Sequence, residues 1–174
     1  MAMRPPWVVR PSEPGDSPAI LALAENLKKW FTPQAHQTIG RELSTHGGYV
    51  AVRDARVLGF LMWTPSQEAG VARLSWIGVA EVERHLGIGT SLLAALVASL
   101  KANGFRYLDV DTVADNVDYE PYAETRRFYR ACGFVGYRVD PKHYGEGEER
   151  YDRLVLRLDL TRGPHAPRGP STQP

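Results

Sequence analysis

A chain of 174 residues that is 43% hydrophobic and 24% charged can bury one core without disulfides or metal. Its formal net charge of +1 gives no global field that would favour nucleic acid or membrane as a partner. Cys132 is the only cysteine, which excludes an intrachain disulfide and a Cys-rich metal site, so we expect a cytoplasmic protein. Residues 1–6 contain no signal-peptide core, and no apolar run approaches the roughly 20 residues of a membrane span.

The N-terminal part of the chain predicts one strand followed by two helices. Residues 7–10 form the strand, which Pro11 ends. Residues 19–31 carry apolar side chains at helical spacing, and Pro33 ends that helix. A second, shorter helix is predicted over residues 34–43.

The middle of the chain predicts three strands and then the most regular helix. Two strands, at residues 49–53 and 57–63, are joined by a connection of hairpin length. A third strand covers residues 71–80. The helix over residues 87–103 places its leucines and Ile88 on one stripe.

The C-terminal part predicts a strand at residues 105–113, a helix at 120–131 and two further strands at 134–139 and 153–160. A charged, glycine-containing loop is expected between the last two strands, over residues 141–150. The resulting fold class is α/β, with a mixed, twisted sheet of six to seven strands and helices on both of its faces.

The domain organisation that we predict is one domain over residues 1–160. Residues 161–174 contain four prolines and two glycines with almost no apolar side chains. That composition predicts a disordered tail.

The strongest motif is the turn Arg84-x-x-Gly87-x-Gly89, which lies between a predicted strand and the best predicted helix. The first N–H groups of a helix have no partner inside it and carry the positive end of its dipole, so this turn predicts a phosphate site. A Walker A loop would need a lysine after Gly89, and a dinucleotide fingerprint would need a third glycine where Leu92 stands.

A third interpretation fits the turn and the later elements together. The order of elements resembles that of the GNAT N-acetyltransferase superfamily over residues 7–160. Two motifs carry the resemblance: Arg84, Gly87 and Gly89 in the first, and Phe128, Tyr129, Gly133 and Phe134 in the second.

The resemblance implies acetyl-CoA as co-substrate and a deprotonated primary amine as the acceptor that attacks it directly, without a metal. It also implies a bulge in the strand before the glycine turn, for which Gly78 is well placed. The N–H of Val79 would polarise the thioester carbonyl. The residues implied to bind acetyl-CoA are Ile77, Val79, Arg84, His85, Leu86, Gly87, Ile88, Gly89, Thr90 and, more weakly matched, Asn116.

Tyr129 matches the general acid that protonates the departing CoA thiolate. A phenol with a pKa of about 10 is protonated at neutral pH and can donate to a thiolate of similar basicity. The alternative is a core aromatic beside Phe128, although neighbouring helix positions face different ways. The sequence departs from many relatives at Tyr122 and Thr125 and in the long acidic link over residues 114–121.

The acceptor site is predicted only in outline. Trp30, Phe31 and Trp63 are candidates to line an amine pocket, with core packing as the alternative. Asp109 and Asp111 share one face of a strand and could act as a base or anchor a cation, with solvent or arginine partners as the alternative.

Three functional interpretations stay open. The first is an N-acetyltransferase that acts on a small-molecule or peptide amine. The second is a non-catalytic acyl-CoA sensor, against which the intact Tyr129 argues. The third is a transferase acting on a macromolecule, where the near-neutral charge argues against tRNA. A homodimer is compatible with the fold.

Overall fold

The computed structural model describes residues 6–147 and 149–163, and it has the predicted order of elements. The helices are α1 (Ser17–Asn26), α2 (Pro33–Glu42), α3 (Ile88–Ala102) and α4 (Glu120–Ala131). The strands are β1 (Val8–Pro11), β2 (Gly47–Arg53), β3 (Arg56–Pro65), β4 (Val71–Val79), β5 (Tyr107–Val113), β6 (Val135–Glu146) and β7 (Glu149–Asp159). The described helices include none that is long and apolar enough to cross a membrane.

The strands described form one mixed sheet in the order β1-β2-β3-β4-β5-β7-β6. Only the central pair, β4 and β5, is parallel, because α3 carries the chain back to the start of β5. The fold class and the prediction of helices on both faces are confirmed.

Two apolar cores lie on opposite faces of this sheet. Successive residues of β3 point to opposite faces, so that Phe60 and Met62 pack with α1 and α2 while Leu61 packs with α3 and α4. The α3 core continues through Leu92 and Leu96 to Tyr129 of α4. The cleft described below lies between these two layers.

Three sequence predictions need correction. Helix α1 ends at Asn26, not residue 31, because the chain turns at Leu27 and the N–H groups of Trp30 and Phe31 both bond to the Leu27 carbonyl. The expected loop at 141–150 is mostly strand, because β6 and β7 extend to pair Glu146 with Glu149.

The third correction concerns the bulge in β4. Gly78 pairs regularly with Phe60, whereas the register shifts where Met62 faces Trp76 and Trp63 faces Leu74. Ser75 is therefore the extra residue. The predicted tail begins with Thr161, and its residues 164–174 lie outside the described part of the chain.

Candidate active site

A cleft opens where the two central strands separate. β4 and β5 are paired only from Val71 with Tyr107 to Leu74 with Val110. Beyond that point β4 stays with β3 and β5 stays with β7, so the parallel pair diverges. The gap forms part of a cavity of about 1480 Å³, whose walls also include the α1–α2 linker, the start of α3, α4 and the β6–β7 hairpin.

The backbone of β4 presents unpaired peptide groups to this cleft. The N–H of Ala80 donates to the carbonyl of Leu58 on β3 at 2.8 Å. Because peptide groups alternate in direction along a strand, those of Val79 and Ile77 point the other way, toward the missing β5 partner. Both residues line the cavity. The Val79 N–H is thus a fixed donor directed into the cleft.

The turn after β4 has the properties of an anion site. No N–H group of residues 85–90 donates a hydrogen bond to a described residue, and the series resumes at Ser91, which bonds to the Gly87 carbonyl. Six consecutive donors at the positive end of the 15-residue helix α3 favour a phosphate or pyrophosphate.

The two glycines of this turn are needed for different structural reasons. Gly87 has φ of +92°, a left-handed conformation that favours glycine. Gly89 lies under Phe128, and a β-carbon there would stand 3.2 Å from the end of that ring. The second glycine therefore lets α4 pack closely against the start of α3.

The side chain of Arg84 contacts other side chains of the protein. Its guanidinium lies 3.8 Å from the centre of the Trp30 ring, and one of its nitrogens is 3.2 Å from a carboxylate oxygen of Glu124. His85, with φ of +63°, brings its Nε2 atom to 3.7 Å from the same oxygen. The loop consequently offers its backbone to an anion, while Arg84 faces Trp30 and Glu124.

Tyr129 is 5% exposed and lines the cavity from α4. Burial raises the pKa of this phenol well above its ordinary value, so the group keeps its proton at neutral pH. Its hydroxyl has no hydrogen-bond partner among residues 6–147 and 149–163. Tyr129 and Phe128 pack on the same core, with ring centres 5.4 Å apart, so the expectation that only one of them can reach this core is wrong.

Cys132 lies near this site but lacks the properties of a nucleophile. Burial raises the pKa of its thiol, and the neighbouring hydroxyl of Thr90 offsets only part of that rise. A raised pKa lowers the thiolate fraction at neutral pH. The residue at the N-terminal cap of α3 is Gly87.

Most of the residues predicted for the site come together in this one cavity. They are Trp30, Phe31, Ile77, Val79, Arg84, His85, Gly87, Ile88, Gly89, Thr90, Asp111 and Tyr129. Four others do not line it: Leu86, Trp63, Asp109 and Asn116. The side chain of Leu86 is directed to solvent, with 53% of the residue exposed.

Trp63 and Asp109 lie where the central strands are still paired. Trp63 faces Leu74, the last residue of β4 that pairs with β5. Its ring packs edge-on against that of Phe105, with the ring centres 5.9 Å apart. Asp109 faces Arg73 and accepts two hydrogen bonds from Arg157, at 2.7 and 2.9 Å. Neither residue can line a cleft that opens only beyond them, which corrects their assignment to the acceptor pocket.

Asp111 and Asn116 also differ from expectation. Asp111 lines the cavity, but its carboxylate is already paired with Arg73 and with Arg153, the latter at 3.3 Å. Asn116 donates to Asp152 at 3.2 Å and borders a separate hollow of about 630 Å³. The structure thus favours arginine partners for Asp111 and separates Asn116 from the main cleft.

Sequence reasoning missed several residues that line the cavity. Tyr144 and Tyr151 come from the β6–β7 hairpin, and Thr32, Ala35 and Thr38 from the α1–α2 segment. Burial raises the pKa of Tyr144 to about 12. These residues belong to no motif, although an exposed stretch with tyrosines at 144 and 151 was one available signal.

Comparison with known proteins agrees with this geometry. The model of the GNAT acetyltransferase family matches residues 18–134. The uncharacterized N-acetyltransferase MJ1530 of Methanocaldococcus jannaschii is 31% identical over 102 residues, which are 58% of this chain. The match spans 60% of that relative's length.

Two solved structures have the same fold. A GNAT-family protein from Desulfovibrio desulfuricans superposes with a TM-score of 0.76 at 27% identity, covering 88% of this chain and 99% of the other. Arabidopsis thaliana NAA60, in complex with acetyl-CoA, superposes at 0.70 with 14% identity, over 90% and 99% of the two chains. The chain therefore belongs to the GNAT family of acetyltransferases.

Proposed function

We propose that this protein is an acetyl-CoA-dependent N-acetyltransferase in which a primary amine attacks the acetyl group directly. The observation that carries the proposal is one cleft that combines three features: the turn over residues 84–90, named here the anion loop, the inward N–H of Val79 and the protonated hydroxyl of Tyr129. The fold shared with NAA60, whose structure contains acetyl-CoA, supports the choice of co-substrate.

The anion loop fits the pyrophosphate of acetyl-CoA. Backbone donors at residues 85–90 would hold its oxygens, and the open space around Gly87 lets them approach closely. Acetyl-CoA supplies the acetyl group as a thioester, whose carbonyl is reactive and whose CoA thiolate is a good leaving group.

Val79 would stabilise the charge that develops on the carbonyl oxygen during attack. Its N–H belongs to a strand held by β3 on the other side, so the donor needs no reorganisation. A fixed donor of this kind contributes about 2.7–4 kcal/mol to the transition state in well-studied acyl-transfer sites.

Tyr129 would donate its proton to the thiolate as the C–S bond breaks, and the proton that the attacking nitrogen loses would restore the phenol, directly or through solvent. The apolar surroundings that raise the pKa of the phenol also raise the pKa of a CoA thiol placed beside it. Because donor and acceptor shift in the same direction, burial does not by itself make the proton transfer unfavourable. The hydroxyl makes no other hydrogen bond to the described residues and is available for this role.

The acceptor would enter from the side walled by Phe31, Trp76, Tyr144 and Tyr151. This aromatic lining suits the uncharged form of an amine, the form that can attack. We further propose a small-molecule or peptide amine as acceptor, and a cytoplasmic location in keeping with the free thiol of Cys132.

The proposal can be tested by titration calorimetry with acetyl-CoA, followed by thiol release against a panel of amines. We expect micromolar binding and release that depends on the amine. Gly87→Asp should abolish binding, because it adds a negative charge beside the anion loop. Gly104→Asp is the matched control, since Gly104 also has positive φ and open surroundings but lies at the other end of α3.

Absence of acetyl-CoA binding would overturn the co-substrate assignment. Binding without release from any small amine or peptide would favour an acyl-CoA sensor.

A further inference from the structure

The side chain of Glu124 connects three elements that form the cleft. It lies on α4, the helix that carries Tyr129 five residues later. It pairs with Arg84 of the anion loop, and Arg84 in turn stacks on Trp30 of the α1–α2 linker. We propose that Glu124 is a positioning residue, which fixes the anion loop and the acceptor-side wall against the helix of the general acid. This inference rests on the proposed function.

Arg84 suits this role because a guanidinium is flat. Its face can stack on the indole of Trp30, while its edge forms an ion pair with the carboxylate of Glu124. The Arg84 side chain is 23% exposed and that of Glu124 is 35% exposed, so solvent screens the pair only in part. A lysine would keep the charge but lose both the stacking and the fork of donors.

A parallel set of contacts ties the same linker to the same two elements. The hydroxyl of Tyr119, just before α4, donates to the carbonyl of Lys29 at 3.1 Å. The ammonium of Lys29 pairs with Glu81, which precedes the anion loop, at 2.5 Å. These groups are exposed, so we expect the half-buried contact through Glu124 to dominate the coupling.

The contacts of Arg84 also bear on whether its guanidinium binds the pyrophosphate. Its guanidinium is occupied on its face and on one edge by protein groups. If Glu124 instead competed with pyrophosphate for Arg84, removing the carboxylate charge would release the arginine and tighten acetyl-CoA binding. The positioning role predicts the opposite sign, because the loop and α4 would lose their mutual alignment.

The test compares Glu124→Gln, Arg84→Lys and the double variant with the wild-type chain, in steady-state kinetics and calorimetry. We expect each single variant to lower kcat/KM for acetyl-CoA by about tenfold, since small misplacements of reacting groups are costly. The double variant should be no more than about twofold worse than either single one, because both changes break one contact.

A matched control is available elsewhere in the sheet. Arg157 stacks on Tyr137 at 3.7 Å and pairs with Glu68 at 3.3 Å outside the cleft, in addition to its two bonds to Asp109. Glu68→Gln should leave kcat/KM unchanged, and its thermal unfolding midpoint gives the purely structural cost of losing such a carboxylate.

Two results would overturn the inference while leaving the proposed function intact. One is wild-type kcat/KM in Glu124→Gln. The other is tighter acetyl-CoA binding in Glu124→Gln, which would mean that the carboxylate competes with pyrophosphate for Arg84. Failure of the wild-type chain to release thiol with any acceptor would overturn the proposed function, and this inference with it.

Discussion

At the scale of single residues, position relative to the strand separation decides what a side chain can do. Asp109 and Asp111 lie two residues apart on one face of β5, and both pair with arginine. Asp109 faces Arg73 while β4 and β5 are still joined, whereas Asp111 comes after the last pair and reaches the cavity. Alternation along a strand predicts their common face but cannot locate the point where the neighbouring strand leaves.

Tyr129→Phe tests the general acid. Removing the hydroxyl should lower kcat by about 100-fold, within the usual range for a positioned acid, and leave the acetyl-CoA dissociation constant unchanged. Stability should change little, because the hydroxyl has no hydrogen-bond partner in the described chain. Tyr137→Phe, at a half-exposed tyrosine outside the cavity, is the control. Full turnover by Tyr129→Phe would assign the proton donor elsewhere.

The pH dependence of the wild-type chain follows from the direction of the Tyr129 shift. Burial raises the pKa of this phenol above the ordinary value of about 10, so the acid stays protonated up to at least that pH. We therefore expect kcat not to fall from loss of this proton between pH 7 and 10. An alkaline limb in kcat within that range, absent in Tyr129→Phe, would contradict the assignment.

Asp109→Asn separates a structural role from acceptor binding. The change weakens two charge-assisted hydrogen bonds to Arg157, whose side chain is only 12% exposed. We expect a loss of about 2 kcal/mol in the free energy of unfolding, measured with urea, and no change in the acceptor KM. A raised acceptor KM with normal stability would instead assign Asp109 to acceptor binding.

At the scale of elements, the sequence predicted those whose signals are local. The glycine turn, α3 and α4 follow from helical periodicity and from glycines at their ends, and α4 has the predicted bounds. The end of α1 and the long β6–β7 hairpin did not follow, because both depend on tertiary partners. The Leu27 carbonyl accepts from two later N–H groups, and polar residues 141–146 become strand only by pairing with β7.

Gly78→Ala probes how tightly α1 packs on β4. A β-carbon at Gly78 would lie 2.8 Å from the Phe60 ring and 3.0 Å from a methyl of Leu27. We expect this overpacking to cost about 1–3 kcal/mol in urea unfolding. Gly40→Ala in α2 is the matched control, with its nearest neighbour at 3.7 Å, and should stabilise by roughly 0.5–1 kcal/mol. Equal effects of the two substitutions would mean that α1 does not press on β4.

At the scale of the whole molecule, the walls of the cleft rest on two cores that lie on opposite faces of one sheet and share strand β3. The core of α1 and α2 supports β3 and the acceptor-side wall, and the core of α3 and α4 supports the anion loop and Tyr129. Among the described residues, the last one that belongs to either core is Leu160. The catalytic domain that we predict over residues 1–160 should therefore contain everything that folding and catalysis need.

Ending the chain after Gly163 tests that division. The shortened protein keeps Leu160 and the hydrogen bond from its N–H to the Arg106 carbonyl at 2.8 Å. We expect an unchanged thermal unfolding midpoint and unchanged kcat/KM for acetyl-CoA, because every residue assigned to the cleft remains. Ending the chain after Leu158 is the contrasting variant, since it removes the buried Leu160 and should lower the midpoint by several degrees. A loss of activity on removing only residues 164–174 would extend the functional domain into that segment.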